Sequence, residues 1–177
     1  LILLEPPAFP LLGVSIPPRP AQVIKLLIRH PRAGLGFIKF GAKGIGPAIK
    51  AFERGDDAGA LRVFMAANTS DAAVERIPEA VFQRFVDNAG PLKAQLKAGF
   101  PPFAAAEARA IRMPALLVSG ADSPAHLKAV TDRLAKLLPD AHRLTIAGAT
   151  HNMFSSHSAE FNAGVLRFIR SHSAAGR

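Results

Sequence analysis

Cysteine, tryptophan and tyrosine are absent from this chain of 177 residues. Without cysteine there are no disulfides and no thiolate metal ligands, and the composition fits a cytoplasmic setting. No apolar run approaches the roughly 20 residues that span a bilayer, so no membrane segment is expected. The opening stretch, Leu1-Ile2-Leu3-Leu4-Glu5-Pro6-Pro7, has no basic n-region, no long apolar h-region and no small-residue cleavage site, which excludes a signal peptide. It has no initiator Met and starts inside a strand-like run, so the chain is expected to be a fragment or a product missing its front. Walker and G-x-G-x-x-G strings are missing, and no ligand spacing points to a metal. Acidic residues are also scarce, leaving a formal charge of +9. The basic residues are dispersed and no nucleic-acid-binding motif accompanies them, so the charge is read as a solvated surface with non-specific anion binding at low salt.

What is present is an apolar content of 49%, enough for a globular core. Leu1–Leu4 is continuous in apolar character, as a buried parallel strand is, and Pro6-Pro7 stops it. A Pro-rich loop covers residues 13–20. Ala21–Arg29 carries Val23, Ile24, Leu27 and Ile28 as an apolar stripe. Residues 34–54 read as a Gly-interrupted helix. Asp56 or Asp57 caps a helix through Ala67, and Pro78 opens one running to about Lys97 with Val81, Phe85, Leu92 and Leu96 inward. From Ile111 the pattern becomes strand, helix, strand, helix. Ala115–Ser119 is the first strand, with Ser123 as N-cap and Pro124 at N1 of the helix after it. Arg143–Ala147 is the second strand, and Phe161, Val165, Phe168 and Ile169 face a last helix inward.

Two of these strands end on chemistry. Ala115-Leu116-Leu117-Val118-Ser119 runs into Gly120-Ala121-Asp122, and Leu144-Thr145-Ile146-Ala147 runs into Gly148-Ala149-Thr150-His151. The carboxyl ends of neighbouring parallel strands lie side by side, where open α/β sheets place their sites. A carboxylate and an imidazole delivered there suit the acid and base of a Ser-His-Asp system. Glu5, directly after the first strand, is a second candidate acid, because a carboxylate buried there needs a partner and His151 could supply it. Asp122 has a competing role, a favourable negative charge beside the start of a helix. Met153 and Phe154, next to His151, are candidate pocket walls. Most of the other phenylalanines, Phe37, Phe40, Phe64 and Phe82 among them, are read as packing between helices. Ser155, Ser156 and His157 are given no chemistry.

The strings Met113 to Asp122, Leu137-Leu138-Pro139-Asp140-Ala141, Ile146 to His151, and Phe161-Asn162 with Val165 to Ile169 resemble, in order and spacing, the C-terminal half of the α/β-hydrolase family. The resemblance implies an α/β fold: a partial hydrolase sheet of three parallel strands with a mostly helical cap inserted. It divides the chain into a core strand (1–12), a cap (13–110) and a closing part of the core (111–177). It also implies hydrolysis of an ester or similar carbonyl bond in a small apolar substrate, with no cofactor. His151 would be the base and Asp122 or Glu5 the acid. The family's nucleophile sits in a G-x-S-x-G turn before the acid and base. No such turn occurs here; Gly13-Val14-Ser15-Ile16-Pro17 lacks the second Gly. The family also commonly has its acid three positions after the strand-end Gly, where this chain has Ser123. The chain alone is therefore expected to be nearly inactive. Its partners would be the missing N-terminal half, or a second chain on the uncovered strand edge. The rival function is a non-catalytic module that holds an apolar ligand or a partner.

Overall fold

The computed structural model describes residues 1–173. Within it the chain divides into two compact units, one of residues 1–12 with the described residues from 102 onward, the other of residues 13–101.

The first unit is α/β. Strands β1 (Ile2–Leu4), β2 (Ala115–Gly120) and β3 (Ala141–Ile146) form a parallel sheet in the order β1-β2-β3. Register is direct: Leu4 pairs with Val118, and Val118 with Leu144. Every residue of the central strand β2 is buried, as expected of a parallel strand covered on both faces. On one face Leu116, Val118 and Ile146 meet Ala149 and Met153, with Ile2, Leu4, Phe161, Val165 and Phe168 packed around them. The last three of these come from the closing helix, Ser158–Ser173. The crossover helix Ala125–Leu137 packs on β2 and β3 through an apolar face that buries Leu127, Val130 and Leu134. Short helices at Ala105–Ala110 and Met153–Ser156 complete the unit.

The second unit is all-helical: α1 (Pro20–Arg29), α2 (Pro31–Phe40), α3 (Gly46–Glu53), α4 (Asp57–Asn68), α5 (Asp71–Glu75), α6 (Glu79–Asp87) and α7 (Gly90–Ala98). In full chain order the remaining helices are α8 (Ala105–Ala110), α9 (Ala125–Leu137), α10 (Met153–Ser156) and α11 (Ser158–Ser173). No described helix is long and apolar enough to cross a membrane.

Several boundaries differ from the sequence pattern. Residues 34–54 remain helical, but a π-helical turn over Gly41–Ile45 separates α2 from α3. A Cβ at Gly44 would lie 2.7 Å from the Ala67 side chain, so the missing side chain lets this turn approach α4 closely. The helix expected from Pro78 to Lys97 is two helices. Pro91 cannot continue the α6 hydrogen-bond ladder, and Asn88 turns its side-chain amide back to the Arg84 carbonyl at 2.7 Å. On α6 the buried residue is Phe82, while Val81 and Phe85 are exposed. On α1 it is Leu26, while Ile24 and Ile28 are exposed. On α11, Ile169 is exposed rather than inward. Asp56 is the cap of α4, accepting from the Gly59 N–H at 2.8 Å. Ser123 does not cap α9. That helix starts at Ala125 after an extended Pro124, and the Ser123 hydroxyl is buried without a hydrogen bond among the described residues.

Candidate active site

The carboxyl ends of all three strands contribute to one cluster. β1 ends on Glu5, whose N–H donates to Val118 O at 3.2 Å and so continues the ladder one residue further. At that residue the backbone turns to φ 39°, a left-handed conformation uncommon for a side chain without local polar self-bonding. The turn directs the carboxylate inward, and the side chain is 0% exposed.

Two donors meet the carboxylate there. The Gly120 N–H, at the end of β2, donates to Oε1 at 3.1 Å. His151 Nδ1 lies 2.9 Å from Oε2. A carboxylate offers only acceptors, so Nδ1 carries the proton and Nε2 keeps its lone pair. Nε2 takes no hydrogen bond among the described residues, and the His151 side chain is 36% exposed. An imidazole held on one nitrogen by a buried carboxylate, with the other open, is suited to take up a proton from a group that approaches the open nitrogen.

The loop carrying His151 is tied to β2 by backbone bonds. Ala121 N–H donates to Ile146 O and Asp122 N–H to Ala149 O, both at 2.9 Å. Gly148 takes φ 67° in the turn after β3. A Cβ at Gly120 would stand 2.2 Å from Ala149 O, so only glycine lets these two loops lie this close. Lys128 braces the same corner, donating to Ala121 O at 2.8 Å.

Of the two candidate acids, the structure brings Glu5 to His151 and leaves Asp122 apart. Asp122 is exposed, and its carboxylate has no hydrogen bond or ion pair among the described residues. Met153 is fully buried in the core with Leu116, Val118 and Ile146, and Phe154 is 50% exposed.

One member of the cluster carried no sequence signal. His126, on α9, is buried, and its ring lies 6.0 Å from that of Phe9 between centroids. Its pKa is lowered to about 4, first by burial and then by the positive charge His151 can carry, with Glu5 pulling the other way. It is therefore a neutral imidazole at pH 7, beside one that can charge. As a histidine among apolar α9 positions, it could have been suspected only from the helical stripe it shares with Val130.

The helical unit holds a cavity of about 800 Å³. Phe37, Ile45, Ile49, Phe52 and Leu96 line it, with Lys93 and Lys97 as its cationic groups.

The three-stranded parallel sheet with its mostly helical surroundings is a partial α/β fold. Among solved structures, the chain is similar to "Structure of MenH from S. aureus", at a TM-score of 0.55 and 12% identity. The match covers 80% of this chain and 55% of that one, so the chain spans little more than half the length of the structure it resembles. No protein-family model matches the chain. No curated protein matches it either.

Proposed function

We propose that this chain carries the base and the acid of an α/β-hydrolase-type active site. His151 is the general base and Glu5 the acid that orients it. The reaction is hydrolysis of an ester or similar carbonyl bond in a small apolar substrate. A nucleophile outside these residues attacks the carbonyl carbon as His151 Nε2 takes its proton. The imidazolium then returns that proton to the leaving group, and Glu5 stabilises the positive ring meanwhile. The observation that carries the proposal is the 2.9 Å pairing of His151 Nδ1 with a fully buried carboxylate at another strand end. Similarity of fold to a hydrolase-type enzyme adds to it.

Asp122 is the weaker acid on this reading, since an exposed carboxylate away from the imidazole cannot fix its tautomer. The test joins the chain to a segment bearing the nucleophile and follows p-nitrophenyl ester hydrolysis. Glu5→Gln and His151→Ala are each expected to lower kcat on the order of 10⁴-fold, because tautomer or base is lost. Asp122→Asn should stay within a few-fold of the parent. Full activity in Glu5→Gln, or collapse in Asp122→Asn, would reverse the assignment.

The apolar cavity favours a second reading, a module that binds an apolar ligand without turnover. An apolar fluorescent probe bound equally by the parent and His151→Ala, with no ester cleaved by either, is the result that reading requires.

A further inference from the structure

Away from the strand ends, the opposite end of β3 collects three ligand-type side chains. Asp140 precedes the strand, His142 is its second residue, and His172 lies in the last turn of α11. One ligand atom from each lies within 4.8 Å of the other two. His142 and His172 are far apart in the chain, which is why no local spacing announced them.

We propose that Asp140, His142 and His172 form a binding site for a divalent transition-metal ion of the zinc class. His142 Nε2 stands 2.9 Å from Asp140 Oδ1. The Asp140 carboxylate only accepts, so this contact is an Nε2–H···Oδ1 hydrogen bond, and a zinc ion would displace its proton and open the pair by about 0.5 Å to the roughly 3.4 Å between neighbouring ligand atoms in a tetrahedral site. His172 Nδ1 lies 2.8 Å from Phe168 O and 2.9 Å from Ser171 Oγ. A carbonyl only accepts, so the Nδ1–H donates to Phe168 O and leaves the Nε2 lone pair for an ion. Metal-binding histidines are held in this way, by an outer hydrogen bond that sets tautomer and ring plane.

The rings are also fixed by packing. Phe168 sits 5.3 Å from His142 and 4.2 Å from His172, and the two imidazoles meet edge-on at 4.8 Å between centroids. Both His142 and Asp140 are accessible to an incoming ion. Closing the set from within 4.8 Å to the roughly 3.4 Å spacing of a tetrahedral site takes a shift of up to about 1.4 Å, which the half-exposed His172 side chain can supply. Two imidazoles and one carboxylate favour zinc, copper or nickel over magnesium and calcium, which prefer all-oxygen sets. Protein ligands fill three positions, and water takes the fourth. A bound ion ties the end of α11 to the start of β3 and protects that edge of the sheet.

The test uses the full chain in metal-free buffer, titrated calorimetrically with zinc chloride while histidine ring protons are followed by NMR. The expected result is one saturable equivalent that shifts the His142 and His172 rings and raises the melting temperature, with magnesium chloride giving neither effect. Asp140→Asn, which removes ligand charge without removing packing, should weaken binding roughly tenfold, and His142→Ala/His172→Ala should abolish it. His30→Ala should bind like the parent. Zinc affinity unchanged in the double variant, equal weakening in His30→Ala, or no saturable binding by the parent would each overturn the site.

Discussion

At Glu5 the backbone holds φ 39° while the carboxylate is fully buried between the Gly120 N–H and the His151 ring. A left-handed non-glycine residue costs about 1–3 kcal/mol and persists only where its surroundings over-determine it. Here the ladder bond to Val118 O and two side-chain bonds do so. Burying a carboxylate without donors would be far more costly than this strain, so backbone and side chain are solved together. The neighbouring His126 adds a pH dependence with a definite sign. Its folded pKa of about 4 lies below the unfolded value of 6.5. Between those values the unfolded chain binds the extra proton, so stability falls as pH drops from 6.5 to 4 and is fully present above 6.5. A shift of that size corresponds to about 3 kcal/mol for this fully buried ring. Urea unfolding of the parent is expected to lose about that much between pH 7 and pH 4 beyond what His126→Leu loses. Equal pH slopes in the two proteins would show that His126 is not held neutral.

The helix–strand alternation from Ile111 onward was readable because each element there obeys one period and is punctuated by Gly or Pro. β1 and β2 were equally plain, being unbroken apolar runs with Pro behind or before them. The helical unit was less legible. Val81 and Phe85 follow helical spacing as well as Phe82 does, and only the direction in which α4 lies decides that Phe82 is buried. The break at Asn88 and the π turn at Gly41 likewise depend on local polar caps and on close approach to α4. At the site, both Glu5 and His151 were visible as strand-end residues. Their pairing was one of two open alternatives, because choosing between Glu5 and Asp122 required the inward turn at Glu5. That turn depends in turn on Gly120, which lets the β2 and β3 loops touch. Gly120→Ala would set a Cβ 2.2 Å from the Ala149 carbonyl and 2.8 Å from Ser123 Oγ. The carbonyl is fixed by its bond from Asp122 N–H, so the loops must part. The expected cost is about 3 kcal/mol in urea unfolding, with loss of the hydrogen-bonded Nδ1 proton resonance of His151. A variant of parental stability that keeps this resonance would show the approach to be looser than the distances require.

For the chain as a whole, the sheet edge and the net charge act in opposite directions. Leu116 N–H donates to Leu1 O, and Glu5 N–H to Val118 O, so the odd-numbered residues of this strand face β2. By the alternation of a ladder, Ile2 and Leu4 turn their backbone groups to the other side, which pairs with no strand among the described residues. An open apolar edge is a template for another chain. Against it stands the charge of +9, which repels a second copy at low ionic strength. Salt screens that repulsion over about 10 Å at 0.1 M while leaving backbone pairing intact. Association of this chain is therefore expected to rise with protein concentration and to strengthen as salt is added, the reverse of an assembly held by ion pairs. Ile2→Pro removes a backbone donor on the open side only, since the bonds to β2 belong to its neighbours; it also gives up part of the Ile2 packing on the sheet, and proline is tolerated on an edge. Sedimentation velocity should show this variant shifted toward monomer at high salt, with far-UV circular dichroism unchanged. Monomeric behaviour of the parent at every salt concentration, or association that weakens with salt, would mean that this edge does not recruit a partner strand.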